Sequence, residues 1–212
     1  MDEHDEVSLL EGIRTTRAIR RLKPDPVPRE LIRTVCEAGT FAPSGGNRQP
    51  WFFIGVTEPE RRAWVAERYR SAFQTYIAPA LEAAADPAFP EAKRRNIRAA
   101  RHLAEHLHEA PVHLFVAGWT RRGDPQYQAL FPAVQNVLLA CRAVGLGASL
   151  TTLHRAHGEE IDAWLGLPEN CPTCALLPIG WPIGRYGRPV RRPVDTCLFF
   201  ERFEAPPARA PR

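Results

Sequence analysis

The stretch from Phe41 to Val56 leaves this chain few choices. Ahead of it, Leu31, Ile32, Val35, Cys36 and Gly39 recur at helical spacing, which predicts a helix over about 28–41 with Pro28 in its first turn. Behind it, Trp51-Phe52-Phe53-Ile54-Gly55-Val56 is a short apolar run that predicts a buried strand. The helix must hand over to the strand through Ala42-Pro43-Ser44-Gly45-Gly46-Asn47-Arg48-Gln49-Pro50. Gly45 and Gly46 permit positive φ and a close backbone approach. Ser44, Asn47 and Gln49 offer donors and acceptors at near-alternate positions, and Trp51 can supply an aromatic wall. A turn furnished this way suits a planar, hydrogen-bonding ligand.

The same reading along the chain predicts a short helix over 8–16 capped by Ser8 and two helices over 59–83 and 91–109, separated by the breaker Asp86-Pro87-Ala88-Phe89-Pro90. It predicts a strand over Val112–Gly118, an apolar helix over 126–145, a strand over Ala148–Leu153, a helix over His157–Leu165 and a strand over Cys174–Gly180. Strands and helices do not alternate strictly, and helices outnumber the roughly four strands. This is the pattern of an α+β layered fold rather than a doubly wound sheet. A Rossmann site is not expected, because no G-x-G-x-x-G follows the first strand. The whole of 1–212 reads as one domain with its core over about 8–202 and a loose tail over Ala205–Arg212. The segment Val194–Phe200 is too apolar to be left in water, so something is expected to cover it.

Composition narrows the function classes. With 44% apolar and 25% charged residues in 212, the chain is long and apolar enough for a sizeable core. No apolar run spans a bilayer, and the acidic start Met1–Glu6 is unlike a signal peptide, so a cytoplasmic protein with no membrane partner is expected. Five scattered cysteines argue against a disulfide framework, and the single Cys171-Pro-Thr-Cys174 lacks the second pair that a zinc site needs. The net charge of +4 comes almost wholly from arginine. Those arginines are spread among acidic residues without an aromatic platform, so nucleic acid is not the expected partner. They do concentrate in two places, Arg14, Arg17, Arg20 and Arg21 near one end and Arg185, Arg188, Arg191 and Arg192 near the other. Arginine forks of this kind bind phosphate oxygens in pairs. His102 and His106 share a helix face without the glutamate of H-E-x-x-H, so no metal is expected. Arg94, Arg95, Arg98 and Arg101 read as a solvated helix face, and His154 and His157 are weak candidates for a pocket lining.

Four segments together resemble the nitroreductase family of FMN-dependent oxidoreductases. They are Thr16-Arg17-Ala18-Ile19-Arg20-Arg21-Leu22, the Pro43-Ser44-Gly45-Gly46-Asn47-Arg48-Gln49-Pro50-Trp51 string, Pro132–Ser149, and Gly180–Gly184 with Arg191-Arg192-Pro193-Val194-Asp195. The resemblance implies a three-layer α/β/α sandwich with a mixed, mainly antiparallel sheet, built as a homodimer whose C-terminal strand is swapped onto the partner. It also implies FMN as cofactor, with NAD(P)H as co-substrate. By position, Arg17 is expected at the FMN phosphate and Arg20 at the ribityl chain or the N1–C2=O edge. Pro43, Ser44, Gly45, Asn47 and Gln49 are expected against the flavin, usually that of the neighbouring subunit. Leu150, Thr151 and Thr152 are expected along the N5 edge, with a backbone N–H or a threonine hydroxyl bonding N5, and Arg191 or Arg192 (or Arg188) at the phosphate. Thr16 and Ala18 stand where the family commonly has arginine and serine. The implied activity is ping-pong hydride transfer from NAD(P)H through FMN to a nitroaromatic, quinone or similar flat electrophile. A specialised branch (a dehalogenase, a flavin-destroying enzyme or a biosynthetic oxidase) and a non-catalytic flavin sensor or store are the alternatives. Tyr69, Phe73, Tyr76 and Phe89 are read as core residues first and pocket wall second.

Overall fold

The computed structural model describes residues 7–120 and 125–203; the tail expected over Ala205–Arg212 lies outside them. Ser8 accepts the Glu11 N–H at 3.4 Å and opens α1 (Leu9–Thr15). Pro28, which has no N–H to leave unsatisfied, precedes α2 (Arg29–Thr40). Then come β1 (Trp51–Val56), α3 (Pro59–Ala83), α4 (Glu91–His106) and β2 (Val112–Gly118). The helix expected over 126–145 is two pieces, α5 (Pro125–Gln128) and α6 (Phe131–Ala143). Pro132 explains the break, since it cannot continue an upstream helix but suits the first turn of a new one. After β3 (Gly147–Ala148), a 3-10 turn (Leu153–His157) leads into α7 (Gly158–Trp164) and then β4 (Thr173–Gly180).

The expected strand over 148–153 is therefore nearly absent: beyond β3 only Thr151 makes a bridge, to Leu176. Two local bonds account for this. The Ala148 carbonyl accepts the Ile19 N–H at 2.9 Å from a separate segment. The Thr151 hydroxyl accepts the Leu153 N–H at 3.3 Å and bends the chain into the turn.

The sheet runs β1-β2-β4-β3, and every described pairing is antiparallel. β2 and β4 are central and buried along their whole length, hence their continuous apolar sequences. Val112, Leu114 and Val116 of β2 pack in one core with Val35 of α2 and Val134 and Val137 of α6. Phe115 and Leu176 point the other way, into a core with Val65 and Phe73 of α3 and Leu103 of α4. Period-two alternation thus feeds two cores and gives the three layers expected. Trp51 is 6% exposed and sits in the first core, so it is not the aromatic wall its sequence position suggested.

α7 is clamped on α3 by a four-deep stack. The Trp64 and Trp164 rings lie 4.4 Å apart at 8°, with Arg68 3.5 Å over Trp64 and Arg61 4.1 Å over Trp164. Arg68 closes it with an ion pair to Glu160 at 2.6 Å. Cys171 and Cys174 are buried free thiols, and burial pushes Cys174 up to about 12, so neither is poised for redox chemistry.

His113 of β2 is fully buried. Its Nε2–H donates to the Leu107 carbonyl at 2.7 Å, while Nδ1 has no partner. Burial, opposed by that bond and reinforced by Arg62 and His108, lowers its pKa from 6.5 to about 4. The unfolded chain then binds the extra proton first, so stability is complete above pH 6.5 and falls as pH drops from there towards 4. The loss attributable to this residue should reach about 3 kcal/mol. Urea unfolding at a series of pH values should show that slope, and His113→Gln should flatten it.

Candidate active site

The site is organised by the strip Arg17–Lys23. Ile19 bonds Ala148 on one side; on the other, Lys23 N–H donates to Trp181 O at 2.8 Å and Ile183 N–H to Arg21 O at 3.0 Å. Gly147 makes the crossing possible. A Cβ there would meet the Ile19 and Leu22 side chains, each at 2.8 Å. Held this way, Arg20 arrives beside Leu150, Thr151 and Thr152 at the mouth of a cavity of about 480 Å³. The far wall is the helical stripe Tyr69, Phe73 and Tyr76, with Ala100 and Leu103 from α4 and Leu153 and Ala156 from the following turn.

The expected residues divide into four groups. Arg20, Leu150, Thr151 and Thr152 line this one cavity. The Thr151 N–H is committed to Leu176 O at 3.0 Å, which leaves the hydroxyl as the Thr151 group that can serve the cavity. Arg17 and Ala18 lie exposed just outside. Thr16 is half-buried, and its hydroxyl donates to Gly12 O at 2.7 Å, so it has no proton to offer a phosphate.

The second arginine cluster is drawn towards α1 by the Arg188–Glu11 ion pair at 2.8 Å. Arg191 and Arg192 are exposed, and Arg191 donates to Val190 O at 3.2 Å. The loop Pro43–Gln49 does not line the cavity. Pro43, Gly45, Asn47 and Gln49 are exposed and Ser44 half-buried. Gly46 takes the left-handed conformation (φ 60°), Gly45 does not, and Asn47 (φ 52°) and Gln49 (φ 48°) share it. Ser44 Oγ accepts the Gln49 N–H at 3.0 Å and Asn47 Oδ1 accepts from Gln49 Nε2 at 3.2 Å, which hold the loop in that shape.

Sequence reasoning underrated the aromatic stripe. Tyr69 and Phe73 belong to the core and to the cavity wall at once, and Tyr76 is 68% exposed at its rim. Their i, i+4, i+7 spacing is the signal that marks one helix face. Phe89 lies elsewhere, under Lys93 and Arg94. Neither weak histidine candidate lines the cavity: His154 is buried against Phe115 and bonded to Thr173, and His157 faces Glu160. Arg94 is no solvated residue, since it donates to the carbonyls of Ala84, Asp86 and Phe89 and ties the loop between α3 and α4. Among the described residues no three metal-ligating side chains cluster.

This fold, with a cavity lined by an arginine, two threonines and an aromatic stripe, is that of an oxidoreductase class. The nitroreductase family matches residues 13–181, and the chain belongs to it and is an enzyme of that family. It is 30% identical to the 5,6-dimethylbenzimidazole synthase of Rhodospirillum rubrum over 177 residues, 78% of each chain. It is 25% identical to the putative NAD(P)H nitroreductase YfhC of Bacillus subtilis over 183 residues, 84% of this chain and 87% of that one. Oxidised iodotyrosine deiodinase bound to FMN and 3-iodo-L-tyrosine shares the fold, with a TM-score of 0.74 at 22% identity over 92% of this chain and 100% of the other.

Gly147→Val should push the Arg17–Lys23 strip off β3 and cost about 1–3 kcal/mol. Trypsin should then cut faster at Arg20 and Arg21 in the folded protein. Gly55→Ala, whose Cβ meets nothing within 4 Å, is the control and should stay within about 0.5 kcal/mol of the parent.

Proposed function

We propose that this chain is an FMN-dependent NAD(P)H oxidoreductase that works by ping-pong on a flat electrophile such as a nitroaromatic or a quinone. The convergence of Arg20 with Thr151 and Thr152 on one aromatic-walled cavity carries the reading. The donor set fits a flavin: a guanidinium fork suits a ring carbonyl, hydroxyls suit ring nitrogen, and no carboxylate lines the cavity among the described residues. The nearby Ser149 hydroxyl is buried without a partner, a further polar atom in want of one.

FMN, when bound, supplies the redox chemistry, taking a hydride from the nicotinamide and passing electrons to the second substrate. Arg20 would place a cation by the ribityl chain or the N1–C2=O edge, where it would favour the negative charge of reduced flavin. Arg17, helped by Arg191 or Arg192, would hold the phosphate. Leu150, Thr151 and Thr152 would lie along the ring edge that carries N5. Tyr69, Phe73 and Tyr76 face flat acceptors, consistent with stacking over the ring.

In this reading the active unit is a homodimer built from one domain per chain. Pro43, Ser44, Gly45, Asn47 and Gln49 sit away from their own chain's cavity and serve the partner's. The exposed Leu9, Leu10 and Ile13 of α1 and the exposed Val190, Val194, Leu198 and Phe200 near the C-terminus supply the apolar area such a dimer buries. No described helix is long and apolar enough to cross a membrane, and a cytoplasmic setting completes the reading. The 30% identity to a dimethylbenzimidazole synthase keeps a biosynthetic branch as the second reading, with the same cofactor site and a different fate for the flavin's electrons.

Purified protein, given FMN if colourless, should show a bound flavin band that NADPH or NADH bleaches without oxygen. Arg20→Ala should weaken FMN binding about ten- to hundredfold, the loss of a charge-assisted bond. A wild-type chain that takes up no FMN would sink the reading. Flavin that binds but resists both nicotinamides would move it to the biosynthetic branch or to a sensor.

A further inference from the structure

Thr151 Oγ1 has one proton to give and two lone pairs to offer. The Leu153 N–H, which can only donate, occupies one lone pair at 3.3 Å. Tyr69 Oη lies 3.1 Å from the same oxygen. Tyr69 is 5% exposed, and burial raises its pKa, so its phenol stays protonated at neutral pH. A buried O–H left without an acceptor is destabilising. Thr151 is the hydrogen-bond partner its hydroxyl has. Either oxygen can donate across that contact; with Tyr69 as the donor, both lone pairs of Thr151 are filled. The Thr151 proton is then left the remaining tetrahedral position, and Thr151 lines the cavity.

We propose that Tyr69 donates to Thr151 and is a positioning residue that fixes it as an obligate hydrogen-bond donor to the flavin, and so sets the reduction potential of this enzyme. The proposal rests on the FMN reading above. Oxidised flavin carries an acceptor at N5, and reduced flavin carries an N–H there. A hydroxyl free to rotate can serve both, by donating to the first and accepting from the second. With both its lone pairs taken, Thr151 serves only the oxidised form. The Tyr69–Thr151 pair thus holds the potential down and favours rapid electron release to the acceptor over storage as reduced flavin.

The test compares FMN affinity and reduction potential in wild type, Tyr69→Phe, Thr151→Val and the double variant, with thermal unfolding to confirm that each is folded. Tyr69→Phe frees a lone pair, so reduced FMN should gain about tenfold over oxidised FMN, a rise of about 30 mV for a two-electron couple. Thr151→Val removes the donor to oxidised flavin and should raise the potential as well. Tyr69→Phe should then add nothing in the Thr151→Val background, whereas in a Thr151→Ser background its shift should persist.

An unchanged potential in Tyr69→Phe would overturn the proposal, as would a shift of equal size in the Thr151→Val background. Should Tyr69→Phe not fold, Thr151→Val alone still decides, because a hydroxyl free to serve both forms would leave the potential unmoved on removal. Failure of the wild type to bind FMN would overturn the flavin reading itself.

Discussion

The crossing of Arg17–Lys23 over Gly147 is the contact on which the site depends. Seven residues with little regular structure are gripped by backbone bonds to Ala148 on one flank and to Trp181 and Ile183 on the other. The grip closes only because two strand glycines lack side chains. A Cβ on Gly147 would strike Ile19 and Leu22 at 2.8 Å, and one on Gly180 would strike Pro111 at 2.7 Å and come within 3.3 Å of Leu22. Two apolar side chains of the strip, Ile19 and Leu22, are therefore spent on anchoring, and the arginines between and beside them are left to face outward. Arg20 reaches the cavity in this way, and Arg21 turns to His102 of α4, donating to its Nδ1 at 3.4 Å. One packing event thus positions a cation at the cavity mouth and links it to the helical layer that forms the far wall.

That layer is held by arginines used as carbonyl clamps. Arg62 donates to Thr57 O, His108 O and Ala110 O at 3.0, 2.6 and 2.9 Å, which ties the start of α3 to the chain leaving α4. Burial lowers the Arg62 pKa, but three acceptors hold the cation in place. Arg94 does the same for the turn joining the two helices. With both ends of the α3–α4 pair fastened, the stripe Tyr69–Phe73–Tyr76 can present one face to the cavity. The Tyr69–Thr151 bond then couples that face to the Leu150–Thr152 segment.

Most of the regular elements were legible because their causes are local. β2 and β4 are buried on both sides and read as unbroken apolar runs, and the stripe of α2 is plain from Val35, Cys36 and Gly39. The readings that failed depended on distant partners. Ala148–Leu153 has the composition of a strand, but its carbonyl at 148 goes to Ile19 and its hydroxyl at 151 goes to Leu153. Trp51 follows a ligand-like turn, yet its place opposite Gly118 on β1 sends it into the core. The Tyr69–Thr151 bond spans 82 residues and leaves no trace in spacing. Arg94 reads as surface charge because carbonyl clamps have no sequence signature at all.

The loop that reads most clearly in the sequence lies away from the cavity that Arg20 reaches. Asn47 and Gln49 both adopt positive φ, a conformation that costs about 1–3 kcal/mol for a residue such as glutamine. Internal bonds to Ser44 and Asn47 lock the loop, yet it does not line the cavity that Arg20 and Thr151 share. Around it Phe41 is 80% exposed, and Phe52 and Trp119 pair edge to face while half in water. Strain and exposed aromatic area thus lie in the same place on the isolated chain. On the proposed reading both are offset in the dimer, where the aromatic rim is buried and the strained loop meets the partner's flavin. The site is then divided between two chains, so FMN binding and dimer formation should reinforce each other through this loop.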